Sequence, residues 1–390
     1  MAASPTPKSP DPRRRHRAWF LGLTLPVALV LLAEAIGRLW LVYIQGMPAG
    51  RPDALALAYY PELRPAWVTP IAPDDGHFDL LILAGSVFFD YYGGPAMHLR
   101  TALEAQGTLN ARVWNMAWPA HGSRDSLTKY RWLGHKRFDA VLVYHGINEL
   151  RANNVPADRF RPDYSHMAWY AEVNRVAGRP LAASLSWLAL PRLAGWTWAG
   201  VDQLLRPPVV AVDGIPSPQA MADGGEIKTR ASFTSNLQEI AALAQERGEP
   251  LLVSTFAYYL DPAYSKEALL HDQGLSEARV QPRTARPLDT ARQLSYAAPL
   301  YADFAQPNEI WGRTEHLLAG LAAHNQAVRG LAEQMKLGLV DGEAAVPKSA
   351  DQFIDLCHLA PAGVGSLTRA LAPAILKAAG PKWVEIKTSR

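Results

Sequence analysis

Along most of this chain, short runs of apolar residues alternate with longer stretches whose apolar positions fall three and four apart. The runs are Phe78 to Leu83, Ala111 to Trp114, Ala140 to Tyr144, Pro250 to Phe256 and Leu337 to Val340, and they predict buried strands. Met97 to Gln106, Ser126 to Leu133, Phe233 to Gln245 and Thr314 to Met335 carry the helical spacing. Strands alternating with helices predict an α/β domain over residues 76–390, a three-layer α/β/α arrangement on a mostly parallel sheet. Two stretches break the rhythm, at about 155–228 and 261–308, and are expected as insertions. The first contains Leu181 to Leu205, which holds Trp187, Trp196 and Trp198 and only two charges, Arg192 and Asp202. Pro191 and Arg192 at its middle argue against a full membrane crossing. It is expected to form a hydrophobic hairpin, or a cap buried over the site or against a membrane surface.

The first 75 residues follow a different pattern. Residues 1–17 hold Lys8, Arg13, Arg14, Arg15 and Arg17 against Asp11, with Pro and Ser among them, and are expected to be a disordered basic tail. Ala18 to Ala33 is uncharged, and the apolar run continues past Glu34 and Arg38 to Ile44, about one bilayer crossing. Arginines ahead of the span keep the N-terminus cytoplasmic. Residues 18–45 are therefore expected to anchor a single-pass protein in the inner (cytoplasmic) membrane, with the catalytic domain outside the cytoplasm. Trp19, Trp40 and Tyr43 suit the two interfaces, and Pro26 bends the span without forbidding it. A cleaved signal peptide is the rival, because Ala33-Glu34-Ala35 has the small-x-small form. Residues 46–75, with Pro48, Pro61, Pro65, Pro70 and Pro73, predict an extended tether.

Of 39 basic and 36 acidic side chains, five and one respectively lie in the basic tail, so the rest of the chain is nearly neutral. It lacks the broad basic surface that neutralises phosphates, which argues against a nucleic-acid partner. Cys357 is the only cysteine, so no internal disulfide can form. The 11 histidines lack the paired spacing of a metal site, and neither a metal nor another cofactor is expected.

Ligands of parallel α/β sheets bind beyond the carboxyl ends of the strands, so chemistry is sought in the residues that follow each run. These are Gly85-Ser86, then Asn115-Met116-Ala117-Trp118-Pro119-Ala120-His121-Gly122, then His145-Gly146-Ile147-Asn148-Glu149. Near the C-terminus stands Asp355-Leu356-Cys357-His358-Leu359, followed by Pro361, Gly363 and a last helix. An Asp three residues before a His places both on one turn, where the carboxylate can hold the imidazole tautomer. Taken singly, Ser86 and Asn148 could be turn residues, Asp355 a helix cap and His358 a surface histidine. His121 and His145 are other candidate bases, and Cys357 is expected to pack rather than react.

In this order, from Leu81 to about Ala379, the four stretches resemble the sequence blocks of SGNH (GDSL-like) hydrolases. The resemblance implies a flavodoxin-like sheet, Ser86 as nucleophile, His358 as base and Asp355 as its partner. It further implies an oxyanion hole built from the N–H of Ser86, an N–H from Ala120 or Gly122, and the side-chain amide of Asn148. Four positions depart from the pattern: Ala84 for Gly, Gly85 for Asp, Glu149 for Asp, and Ala120 where glycine is common. Alanine can serve at 120 if its φ stays negative. The implied function is that of a cofactor-free serine esterase or acyltransferase acting on an acylated, often acetylated, envelope polysaccharide or lipid. A lipid esterase is the enzymic runner-up. From another class, the alternative is a catalytically silent carbohydrate-binding subunit of an export or assembly machine.

Overall fold

The computed structural model describes residues 12–45, 56–72, 75–108, 110–176, 188–205, 220–260, 313–380 and 383. Most of the expected tail and all of the expected insertion at 261–308 lie outside the described residues. Five strands, β1 (Phe78–Ala84), β2 (Ala111–Asn115), β3 (Ala140–Tyr144), β4 (Leu251–Ser254) and β5 (Gly338–Val340), form one sheet in the order β2-β1-β3-β4-β5. Every pairing is parallel. The longer helices are α1 (Pro12–Gln45), α2 (Pro95–Ala105), α3 (Ser123–Trp132), α4 (Ala168–Val176), α5 (Ala189–Leu205), α6 (Thr229–Arg247), α7 (Thr314–Met335) and α8 (Pro361–Ala379).

The interior strands are buried along their whole length, as expected where helices cover both faces. The period of two divides their side chains between two cores. Leu81, Leu83, Val141, Val143 and Val253 face Leu127 and Tyr130 of α3 and Phe233, Leu237 and Ile240 of α6. Leu80, Ile82, Leu142, Tyr144 and Leu252 face Leu99 and Leu103 of α2 and Leu367, Leu371 and Ile375 of α8. The result is three layers, with β1 and β3 at the centre.

The described part of the expected tether, residues 56–72, is folded rather than extended. Tyr60, Leu63 and Ala66 are fully buried, the Tyr60 hydroxyl donates to Asp125 Oδ1 at 3.0 Å, and Glu62 pairs with buried Lys129 at 2.6 Å. Pro61 and Pro65 open short helical turns, where a missing N–H and a preset φ are no cost. Prolines that read as extended chain in sequence are here helix starters.

The helix α1 runs without interruption through Pro26. Among the described residues no helix is long and apolar enough to cross a membrane; the side chains of residues 12–21 lie outside that set. Glu34 and Arg38 pair along α1 at 2.8 Å. The described residues of the first expected insertion pack onto the rest of the fold. Tyr164, Trp169 and Tyr170 are buried, and α5 begins against α1 at Glu34.

Candidate active site

The end of β1 delivers Ser86 through Gly85 into a single turn of 3-10 helix, Ser86–Phe88. The end of β3 delivers Asn148 into another, Asn148–Ala152. Neighbouring parallel strands thus bring the two residues to the same edge of the sheet. Gly85 shows how closely: a Cβ there would lie 2.5 Å from Asn148 Nδ2 and 2.9 Å from the His121 carbonyl oxygen. No side chain fits at 85, which accounts for glycine where the pattern has aspartate.

Asp355 and His358 come from the loop ahead of α8. An antiparallel bridge between Phe353 and Leu359 closes that loop, and the Ile354 N–H donates to the His358 carbonyl at 2.8 Å. Asp355 Oδ1 accepts the backbone N–H of Cys357 (2.8 Å) and of His358 (2.7 Å), so the side chain folds its own turn. Its other oxygen, Oδ2, lies 2.5 Å from His358 Nδ1, and His358 Nε2 lies 2.9 Å from Ser86 Oγ. Burial pushes the Asp355 carboxyl up, but the His358 hydrogen bond and charge, with the two backbone donors, hold it below the usual carboxylate range. A neutral imidazole protonated at Nδ1 satisfies both contacts: Nδ1–H donates to Asp355, and Nε2 accepts the Ser86 hydroxyl proton. Tyr92 lies flat on the imidazole, with centroids 4.0 Å apart and planes 19° apart.

The second block supplies the opposite wall. Ala120 has φ +60°, the left-handed conformation that disfavours a Cβ, and its carbonyl accepts from Arg151 Nη1 at 2.7 Å. The negative φ expected for an alanine here is not what the loop adopts. Gly122 leaves the set of candidate oxyanion donors, because its N–H donates to Asp125 Oδ2 at 2.9 Å, capping α3. Asn148 Nδ2 donates one hydrogen to the His121 carbonyl at 2.9 Å. This holds the amide plane beside the nucleophile.

Neither alternative histidine touches Ser86 among the described contacts. His145 Nε2 is 2.7 Å from Ser126 Oγ, and burial, with the nearby Lys129 and His121 charges, pushes its imidazole down to about 3. His121 Nδ1 is 2.7 Å from Lys129 Nζ, and burial followed by the Lys129 charge holds its imidazole well below the usual range. Cys357 is buried, with Sγ 3.7 Å from His358 Nδ1. Asp355, Cys357 and His358 are the one group among the described residues whose spacing could hold a metal ion, but Asp355 is already bonded to His358 and His358 to Ser86.

Sequence reasoning missed what braces this wall. Asp125 is fully buried and accepts from Tyr60, Trp169 and Tyr170 as well as from Gly122. Burial raises its carboxyl, but the His121 and Lys129 charges and the Trp169 and Tyr170 hydrogen bonds bring it below the ordinary range. Lys129, also fully buried, donates to the Met116 carbonyl at 2.7 Å. Asp125 and Lys129 stand one turn apart on α3, and nothing in their own spacing marks them as buried. Only three aromatics from distant segments convert the carboxylate into a buried hub. Tyr92, in Tyr91-Tyr92-Gly93-Gly94, lies outside the four stretches that carry the site in sequence.

The expectation that the tryptophan-rich stretch caps the site finds no contact to support it. The described contacts of α5 are with α1, with α4 and with Trp132, at the opposite end of α3 from Ser123. Trp187 and residues 177–187 lie outside the described set.

No protein-family model matches the chain, and no curated protein matches it. Solved structures that it resembles include a GDSL-like lipase from Bacteroides thetaiotaomicron, at 11% identity and a TM-score of 0.40 over 83% of this chain and 99% of that one. They also include a lipase/acylhydrolase from Enterococcus faecalis (12% identity, TM-score 0.36, 76% and 94% covered) and an acetylxylan esterase from Geobacillus stearothermophilus (14%, 0.36, 80% and 97%). Likenesses this distant assign no activity, which rests instead on the distances around Ser86.

Proposed function

We propose that the chain is a serine-dependent esterase or O-acyltransferase of SGNH type. The observation that carries this is the relay Ser86 Oγ to His358 Nε2 at 2.9 Å, with Nδ1 on Asp355 at 2.5 Å, at the carboxyl edge of a parallel sheet. As Oγ attacks an ester carbonyl, its proton passes to His358 Nε2, and Asp355 stabilises the imidazolium. The carbonyl oxygen becomes negative beside the Ser86 N–H and the second amide hydrogen of Asn148. Collapse breaks the ester C–O bond, the His358 proton leaves with the alcohol, and an acyl-Ser86 remains. Water or a second alcohol then accepts the acyl group by the same route in reverse, which is the difference between esterase and transferase.

Three features support an anchored enzyme facing away from the cytoplasm: the basic N-terminal residues, the apolar run from Ala18 and the continuity of α1. An acylated envelope carbohydrate or lipid is the substrate class that such a position favours. The test is fluorophosphonate labelling of the folded protein. Label should appear on the peptide containing Ser86 and vanish in Ser86→Ala and His358→Ala. A well-folded parent that takes no label would overturn the enzyme reading and leave the silent binding subunit.

A further inference from the structure

Two helices of this protein expose apolar side chains that the catalytic domain does not cover. On α1, the large residues between Leu25 and Leu32 are 55% to 64% exposed. On α5 the exposure is confined to one end. Ala189 is buried and Arg192 lies over the Trp132 ring, whereas Trp198, Leu204 and Leu205 are 78%, 84% and 76% exposed. Arg192 and Asp202 are the only charges on α5.

The contact between these helices is made as apolar surroundings demand. The first N–H groups of a helix have no partner within it, and a lone carboxylate among apolar residues is costly. Each answers the other here: the Glu34 carboxylate accepts the N–H of Ala189 (2.8 Å) and of Leu190 (2.9 Å), while Arg38 Nε donates to it at 2.8 Å. Beside them Gly37 lets the helices close up, since a Cβ there would lie 2.8 Å from Leu193 Cδ1. A small residue at the crossing and a fully partnered polar group are the devices of helix pairs in lipid.

We infer that α5 is a second membrane-seated element. With the N-terminal half of α5 fastened to the domain and to Glu34, its C-terminal half enters the hydrocarbon of the same bilayer that holds α1. The occupant of the exposed surface is lipid acyl chain. Trp198 suits the interfacial level, and the arginines at the start of α1 suit anionic headgroups. One helix alone leaves the domain free to swivel about it, whereas two fastened helices set its angle to the membrane. This inference rests on the anchored reading of α1 and is independent of the chemistry at Ser86.

The test places the photo-crosslinker p-benzoylphenylalanine singly at Leu29, Leu204 and Met97 of the full chain, in nanodiscs of phosphatidylethanolamine and phosphatidylglycerol. Leu204 and Met97 are both exposed, at 84% and 59%, so neither substitution disturbs packing. Met97 lies on α2, across the sheet from α5. After irradiation, lipid adducts at Leu29 and Leu204 should exceed those at Met97 at least tenfold. Adducts at Leu29 without adducts at Leu204 overturn the inference and spare the anchor. Adducts at neither position overturn both. Crosslinks from Leu204 to protein in place of lipid, whether to a second copy or to another chain, also overturn it.

Discussion

The substitution Glu149→Gln asks whether an acid buried beside the site holds a proton at neutral pH. Glu149 is 1% exposed, and its Oε1 accepts the Ser123 amide at the start of α3. Burial pushes its carboxyl from an ordinary value near 4.5 to about 7; the Ser123 hydrogen bonds oppose the rise and the Asp125 charge adds to it. Between those two values the folded protein keeps a proton that the unfolded chain has released, so stability falls as pH rises through the window. At about 1.4 kcal/mol per tenfold, the gap is worth about 3 kcal/mol, fully present near pH 4 and gone by pH 8. Glutamine carries no charge at any pH. Its changed packing moves the whole curve up or down and leaves the slope alone. Urea unfolding of detergent-solubilised parent and variant, followed by tryptophan fluorescence from pH 4.5 to 8, measures the difference. The variant should gain about 3 kcal/mol on the parent across that range. Parallel curves would mean that Glu149 is ionised in the fold, and the account of its burial would fail.

Three further outcomes follow from the site geometry. Gly85→Asp, which installs the residue usual before an SGNH nucleophile, should lower ester turnover on the order of 10²-fold and lower the melting temperature as well, because its Cβ meets Asn148 Nδ2, an oxyanion donor, and the His121 backbone carbonyl. Ala120→Gly should raise stability by about 1 kcal/mol in the same urea assay by relieving the positive φ, and an unchanged midpoint would contradict the strain. Asn148→Ala should reduce kcat by roughly 10²- to 10³-fold with KM nearly unaltered, so a loss confined to KM would assign the amide to substrate binding.

Much of the architecture was legible in one dimension because it is periodic. Strands buried on both faces are short and mostly apolar, and each predicted run overlaps one of the five strands, falling one residue short at the ends of β1 and β2. Helix Thr314–Met335 has the bounds its spacing predicts. Asp355 and His358 were legible as a pair because three residues of backbone suffice to join them. Ser86 lies 272 residues from His358, and only the order of the parallel strands and the closed loop before α8 bring their atoms to 2.9 Å. Hydrogen-bond occupancy was illegible for the same reason. Whether the Gly122 N–H is available depends on Asp125, whose place depends on Tyr60, Trp169 and Tyr170 from two other segments. The sign of φ at Ala120, the folding of residues 56–72 onto Lys129 and the Glu34 cap on α5 are decisions of the same kind. Periodicity and local spacing state what each segment requires of its surroundings, and the tertiary structure alone determines which distant group meets the requirement.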